Sequence, residues 1–564
     1  MAVIGWGVIV AVHLQRADRS LRAGITAAQR VRSELSSRDL TQGAAAADLA
    51  AAEHSFALAH AAIASRWLAP LHVLPVIGTQ VRSVEDLSGA AQVVTTSGAT
   101  ALATVRTVLS AGHRTATGRA AEMRLLAATV ADLEKKVSGV SLGPAHGLVG
   151  ALVARRDTFA ADLVKLHTGL VRAGGVTAAL ADLLTGPRTY LVAATNNAEM
   201  RAGSGMILQA GTLTVSEGAL RLGPVVPTDQ LVAPATPVRA SGDLAGRWGF
   251  ENPAVDFREL LLSPQFPPNA ALAAEMWQQR TGRHIDGMIT VDVAALADIL
   301  AATGPVTAAG ETFTSSDVTA KLLVGQYTDL GTSQANDARR EKLGVLAARV
   351  FAASQDGRTS LTALLKAFDT AILGRHMLVW AATPRIEADW AAAGIDGTIG
   401  GNDILLSLLN QGANKLDPYQ RVTSRLSAES GPGATEVTVR VTVHNATPAT
   451  LTGYAAGGSG GDLSARQYRG AVELDLPRQA EAVTSSGGPV ESAGSDYGAM
   501  LCAVQVAIAR GRSQTVVFRF RLAGSSGRFH VVASARLPAT AWSWTAPGGT
   551  SEQFTDGTEH QLSW

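Results

Sequence analysis

Between Arg16 and Gly186 apolar residues recur with the period of a helix, and only Pro70, Pro75 and Pro144 interrupt them. Met123, Leu126, Val130, Leu133, Val137 and Val140 follow one another at alternating steps of three and four, the spacing of an a/d seam. After the breaker GPAHG at 143–147, Phe159, Leu163, Leu166 and Leu170 repeat it. So short a break predicts an antiparallel helical pair, its seam a bundle core rather than an oligomer interface. In WLAPLHVLPVIG, residues 67–78, two prolines each remove a backbone donor and clash with the preceding turn, so the chain must kink or stop. The segment predicts a corner between helices, either buried or resting on lipid.

Past Pro187 the period changes. TYLVAAT, MILQAGTLTV and ALRLGPVV predict short strands, and FPPNAALAAEMWQQRTG a helix entered through prolines and capped by Asn269. IDGMITVDV and HMLVWAA are further strands, alternating with helices at VAALADILAATG, NDARREKLGVLAARVFAA and SLTALLKAFDTAIL. Such alternation predicts an α/β sheet domain. From Tyr419 the helices stop. Val437, Val439, Val441 and Val443 alternate with polar residues, and Phe518, Phe520 and Leu522 alternate with Arg519 and Arg521, predicting a β-sandwich with solvated arginines.

The expected organisation is therefore an N-terminal anchor and helical stalk (1–14 and 15–186), a central α/β domain (187–418) and an all-β sandwich (419–564). At 564 residues the chain is too long for one core. The formal net charge of +1, with no block of like charge, excludes a nucleic-acid footprint. A single cysteine, Cys502, excludes an internal disulfide framework and multi-cysteine metal sites. Ala2 to Leu14 is apolar but for His13, which is short of the roughly 18–20 residues that span a bilayer. It reads as part of a transmembrane anchor or as a buried N-terminal helix. Arg16, Arg19 and Arg22 beyond it would by themselves favour a cytoplasmic body.

No H-E-x-x-H pair, Walker A loop or G-x-S-x-G elbow occurs, and GGSGG at 457–461 lacks the ending of a phosphate loop. What carries chemistry is a set of polar residues at strand and helix ends. NNAEMRAGSG, residues 196–205, is richer than a hairpin needs and places Asn196, Asn197, Glu199 and Arg201 at the end of the first strand. Asp337, Arg339 and Arg340 open a later helix. Crevices at strand ends of open α/β sheets bind ligands, and the guanidinium fork suits phosphate. Nearby carboxylates or amides suit Mg²⁺. Adjacent helical residues point about 100° apart, so one of Arg339 and Arg340 is expected to face the crevice. The competing reading is a capping network in which Asn and Asp satisfy the loop backbone and Glu199 pairs with an arginine.

YLVAATNNAEMRAGSGMI, HIDGMITVDVAALADILAATGPV and NQGANKLDPY together resemble a functionally uncharacterised family of actinobacterial envelope proteins, with an N-terminal anchor, an Ala-rich stalk and this central domain. HNATPATLTGY resembles that family's sandwich. More distantly, IDGMITVDVAALADILAATGPV and DARREKLGVLAARV are similar to segments of the LytR–CpsA–Psr family, which moves glycopolymers from a polyprenyl-pyrophosphate carrier to peptidoglycan outside the membrane with Mg²⁺. The resemblance implies an extracytoplasmic body, a membrane and a polyprenyl-linked glycan or cell-wall polymer as partners, and phosphate contacts from Asp337, Arg339, Arg340 and Arg201, with Asp337 also the candidate metal ligand. One departure counts against catalysis. No Pro-Arg-Asp segment follows the second strand, where that family keeps a catalytic Arg and a metal-binding Asp, and Asp243, Asp256 and Arg258 of the next loop are the residues that would stand in. Two functions are expected in consequence: a non-catalytic envelope protein that binds such a ligand and organises envelope machinery, or a phosphotransferase.

Overall fold

The computed structural model describes residues 2–35, 43–110, 115–231, 238–327, 333–356, 359–458 and 464–564. The chain divides into two compact units, Met1–Thr185 and Gly186–Trp564, within a residue of the expected end of the stalk.

The first unit is all helical: α1 (Ala2–Leu35), α2 (Gly43–Ile63), α3 (Ile77–Ser110), α4 (Ala116–Ser138) and α5 (Gly150–Thr185). Ala17, Ala27, Ala52 and Ala59 are buried where α1, α2 and α3 pack; with little side chain between them the axes approach closely. On α4 the seam is real, with Met123, Leu126 and Val137 buried, and α4 packs on α5 as expected. On α5 it is looser, and Leu166 is exposed. The two-proline segment is the expected corner: α2 stops at Ile63, a 3₁₀ turn spans Ala69–Val73, and α3 starts at Ile77. Residues 2–14 form the first turns of the longer α1. No helix among the described residues is long and apolar enough to cross a membrane.

The second unit opens with β1 (Arg188–Asn196), β2 (Met206–Ser216), β3 (Ala219–Leu222) and β4 (Val226–Pro227). There follow α6 (Gly242–Trp248), α7 (Phe266–Thr281), β5 (Gly287–Val291), α8 (Val293–Thr303), a hairpin of β6 (Val306–Ala308) and β7 (Glu311–Phe313), α9 (Val318–Leu323), α10 (Ser333–Gln355), α11 (Leu361–Leu373), β8 (Met377–Ala381) and α12 (Pro384–Ala392). Five strands lie in the order β3-β2-β1-β5-β8, with β4 beside β2. Only β1 and β5 run parallel, so the sheet is mixed. At Gly287 in its centre a Cβ would stand 2.2 Å from the Trp380 carbonyl oxygen, which leaves room for glycine alone. Asn269 is no cap. It sits wholly buried inside the first turn of α7, accepting from Leu261 N and donating to Ser263 O and Gln265 O, so that it ties down the preceding loop instead.

The remaining strands are β9 (Asp403–Asn410), β10 (Gln420–Gly431), β11 (Ala434–Asn445), β12 (Tyr468–Leu476), β13 (Glu481–Ser486), β14 (Val490–Asp496), β15 (Ala499–Ile508), β16 (Ser513–Ala523), β17 (Arg528–Val531), β18 (Ala541–Thr545), β19 (Ser551–Thr555) and β20 (His560–Ser563), with a short α13 (Gly453–Ala456) between β11 and β12. They make two six-stranded sheets, β13-β16-β11-β10-β18-β19 and β14-β15-β12-β9-β17-β20. Val437, Val439, Phe518 and Phe520 of the first share one core with Leu406, Val472, Leu474 and Val504 of the second. Arg519 and Arg521 face outward as expected. The boundary expected at 418/419 does not divide the molecule. β9 lies before it yet pairs with β12 and β17, and Leu409, Ala471, Leu501 and Ala503 on the outer face of that sheet complete the α/β core.

Candidate functional site

The segment 196–205 connects β1 to β2 as a buried loop. Burying a loop requires partners for its backbone, and they are present. Gly203 N donates to Leu261 O, Met206 N to Glu199 O, Met200 N to Asp417 Oδ2, and Met200 O accepts from Asn410 N. Ser204 and Gly205 take φ of 91° and 96°, and a Cβ at Gly205 would stand 2.8 Å from Asn196 O. Gly205 is therefore a backbone requirement, and the side chains before it are held at fixed places.

Those places differ. Asn196 Nδ2 donates to the Tyr327 hydroxyl, and its Oδ1 accepts from Ala198 N. Asn197 points elsewhere, to Asp292 Oδ2 at 2.7 Å and Ala535 O at 2.9 Å. Asp292 in turn caps α8 and meets His376 Nδ1 at 2.6 Å. Neither asparagine lines the cavity described next; Asn196 satisfies its own loop at Ala198 N, as the capping alternative expects, whereas Asn197 bonds residues outside the loop. Glu199 and Arg201 do line one, of about 420 Å³, and Arg339 and Arg340 of α10 line it too. Three segments far apart in the chain thus converge: the β1–β2 loop, the first half of α10, and the loop after β9 that carries Lys415. Both arginines reach it, against the expectation of one, because the cavity wraps the helix: Arg340 pairs with Asp229 at 2.6 Å while Arg339 lies over the Tyr327 ring at 5.4 Å. The side chain of Asp337 is outside the described residues.

The cations of this cavity are unequally committed. Arg201, nearly buried, donates to Met200 O and Asn410 O and pairs with Glu259 at 3.3 Å. Arg258 pairs with Asp256 at 2.6 Å. Lys415, 2 % exposed, meets the Glu199 carboxylate, with the Tyr327 and Tyr454 rings within 6 Å. Full burial pushes the Lys415 amine down to about 7, against the pull of Asp417. Arg339 differs: its Nε and Nη1 are buried and have no hydrogen-bond partner among the described residues, and Arg201 Nε is in the same condition. Met206, Leu208, Pro227 and Leu343 also line the cavity, and Tyr327 and Tyr454 stand 6.1 Å apart. Chemically this is an amphipathic pocket with unsatisfied guanidinium donors.

Mg²⁺ finds little here. Glu199, Asp229 and Glu259 are each paired with a cation, and Glu251 accepts from Gln411 beside Glu259 and Glu491. Among the described residues no three His, Cys, Asp or Glu side chains form a metal-holding group. Asp243 bonds Tyr497 N and Ser495 Oγ, away from the cavity. Sequence reasoning missed Lys415, Tyr327 and Tyr454. Lys415 lies inside NQGANKLDPY, a polar run after a strand and hence the same kind of signal as 196–205; the tyrosines carry no signal of their own.

Residues 185–327 match a family described as a protein of unknown function, DUF4012, over less than half of the chain. The match includes Glu199, Arg201 and Tyr327 and stops before Arg339 and Lys415. No curated protein matches. Among solved structures, the Lin1025 protein from Listeria innocua shows 11% identity over 37% of this chain and 80% of its own, with a TM-score of 0.21, a likeness that carries no argument.

Proposed function

We propose that this chain is a membrane-associated envelope protein whose cavity binds, without turning it over, the phosphate-bearing head of a polyprenyl-linked or polysaccharide ligand. One observation carries the reading: the buried, unpartnered donors of Arg339, joined by Arg201 Nε, in a cavity where Lys415, Arg258 and Arg340 are each ion-paired. A buried donor without a partner costs about 1–3 kcal/mol, and an anion that accepts from it recovers that cost on binding. The apolar and tyrosine lining suits a ring or isoprenoid next to the anion. The pairing of Glu199, Asp229 and Glu259 with Lys415, Arg340 and Arg201 supports binding over transfer.

The test is titration calorimetry with a short-chain polyprenyl pyrophosphate, with inorganic pyrophosphate in parallel, alongside a phosphate-release assay with Mg²⁺ and with EDTA. Wild type is expected to bind and release nothing, and Arg339→Ala to bind about 10- to 100-fold more weakly, the loss of one charged hydrogen-bonding group. Metal-dependent release that Arg339→Ala abolishes would show that the cavity cleaves the pyrophosphate bond with water as acceptor, and would replace the binding reading with a phosphotransferase one. No binding to wild type would sink the phosphate reading.

A further inference from the structure

The corner between α2 and α3 exposes apolar side chains that a water-facing turn would not carry. Val73 is 81 % exposed, Val76 67 %, Ile77 49 %, and Trp67 and Leu74 42 % each. The corner is firmly built. Gly78 N donates to Leu74 O, Ile77 N to Pro75 O, the Arg82 guanidinium to His72 O, and a Cβ on Gly78 would lie 2.4 Å from that same carbonyl. Val76 has φ of 68°, a left-handed conformation that is costly for a β-branched residue. The backbone is therefore strained into a shape that holds valine, leucine and isoleucine outward. α1 begins beside it: Trp6 Nε1 donates to Trp67 O, Val10 packs against the cluster of Ala62, Ile63 and Leu68, and Val8 is 59 % exposed.

Charge is graded around this end. Ala2 to Leu14 holds no charged residue but His13, and Trp67 to Val81 none but His72. Arg16, Arg19, Arg66 and Arg82 follow at the borders of these two runs, all exposed, while nearby Asp18 pairs with Arg22 and Glu85 faces His72. Read along the chain, each run combines apolar residues with a tryptophan and flanking arginines, with Arg82 turned back onto His72 O. Such groups suit the acyl boundary, the interface and the anionic headgroups of a bilayer. We infer that the α2–α3 corner and the adjoining start of α1 form one surface that seats in the headgroup boundary of an anionic lipid bilayer. The surface lies on the bilayer rather than crossing it. Its setting rests on the membrane association proposed above, but it involves no cavity residue.

Full-length protein is floated with vesicles of phosphatidylcholine, with and without phosphatidylglycerol. Wild type is expected to float with the anionic vesicles. V73D/V76D should partition about tenfold less, because interfacial binding scales with buried apolar area, and Arg66→Glu should weaken binding to the anionic vesicles alone. Asp tolerates the left-handed backbone better than Val, so V73D/V76D should fold, as circular dichroism will show. A second readout is bimane on Val73→Cys, expected to shift to the blue with vesicles while the same label on Val164→Cys does not; native Cys502 is buried and stays unlabelled. Equal flotation of wild type and folded V73D/V76D, or no bimane shift, overturns the inference. So does a dimer in light scattering that V73D/V76D dissociates in the absence of flotation, which would give the corner to a second copy. Arg339→Ala should float like wild type, so that loss of pyrophosphate binding and loss of lipid binding are separate results.

Discussion

Glu473 offers a test of how charge is buried in this fold. It lies on β12 with its side chain on the outer face of that sheet, fully buried, and neither carboxyl oxygen has a hydrogen-bond partner among the described residues. Burial, and then the like charges of Asp475, Asp496 and Glu491, pushes its carboxyl far above the usual range. The folded protein thus keeps a proton on Glu473 where the unfolded chain, with a pKa of about 4.3, has released it. Stability is then full below that pH and falls as pH rises, by up to about 1.4 kcal/mol per unit, until the folded group ionises. By pH 7 the loss reaches about 3–4 kcal/mol if the group is still neutral there. Glu473→Gln keeps the shape and cannot titrate, though its amide is left as unpaired as the acid, at about 1–3 kcal/mol. That cost is common to both proteins, so we expect the variant to gain on wild type by up to about 4 kcal/mol between pH 5 and pH 8. Urea unfolding from pH 5 to 8 measures this, with Trp542 and Trp544 in the C-terminal core and Trp248 in the α/β core as fluorescence reporters. Parallel stability profiles for the two proteins would mean that Glu473 does not take up a proton on folding, and the reasoning would fail.

His376 works in the same pH direction for a different reason. Burial lowers its pKa, but Asp292, 2.6 Å away, together with the charges of Asp298 and Asp556, holds it above its ordinary value. Its contribution is complete below about pH 6.5 and is lost as pH rises through the folded value. His376→Gln should therefore trail wild type by about 1–3 kcal/mol near pH 5.5, with the gap narrowing toward alkaline pH in the same urea series. At the Glu199–Lys415 pair, Lys415→Met strands a buried carboxylate and should cost about 3–5 kcal/mol, while Glu199→Gln/Lys415→Met should recover most of it. Thermal melting of these two and of Glu199→Gln alone decides; a double variant as unstable as the sum of the singles would show that the two residues do not act as a pair.

The helices of the first unit, the β1–β2 strands and the alternating faces of β11 and β16 were legible because periods of 3.6 and 2 are local properties. Each face needs only some partner, whichever it turns out to be. The proline corner was legible too, since Pro limits its own backbone. Residues 403–410 carry no strand signal that the sequence reading picked out and fall inside the expected range 187–418, whereas the pairing of β9 with β12 depends on residues about 60 positions later. Asn196 and Asn197 look alike in sequence, yet one holds Tyr327 and the other Asp292, because successive residues leave a strand end in different directions. Arg201, Arg339 and Arg340 were identifiable as cations at segment ends. The chain alone set the elements, their amphipathic faces and the inventory of charged groups. Which of those charges found partners within the protein, leaving Arg339 with donors unsatisfied, was decided only when β1, α10 and the loop after β9 came together, since pairing depends on distances that no local period encodes.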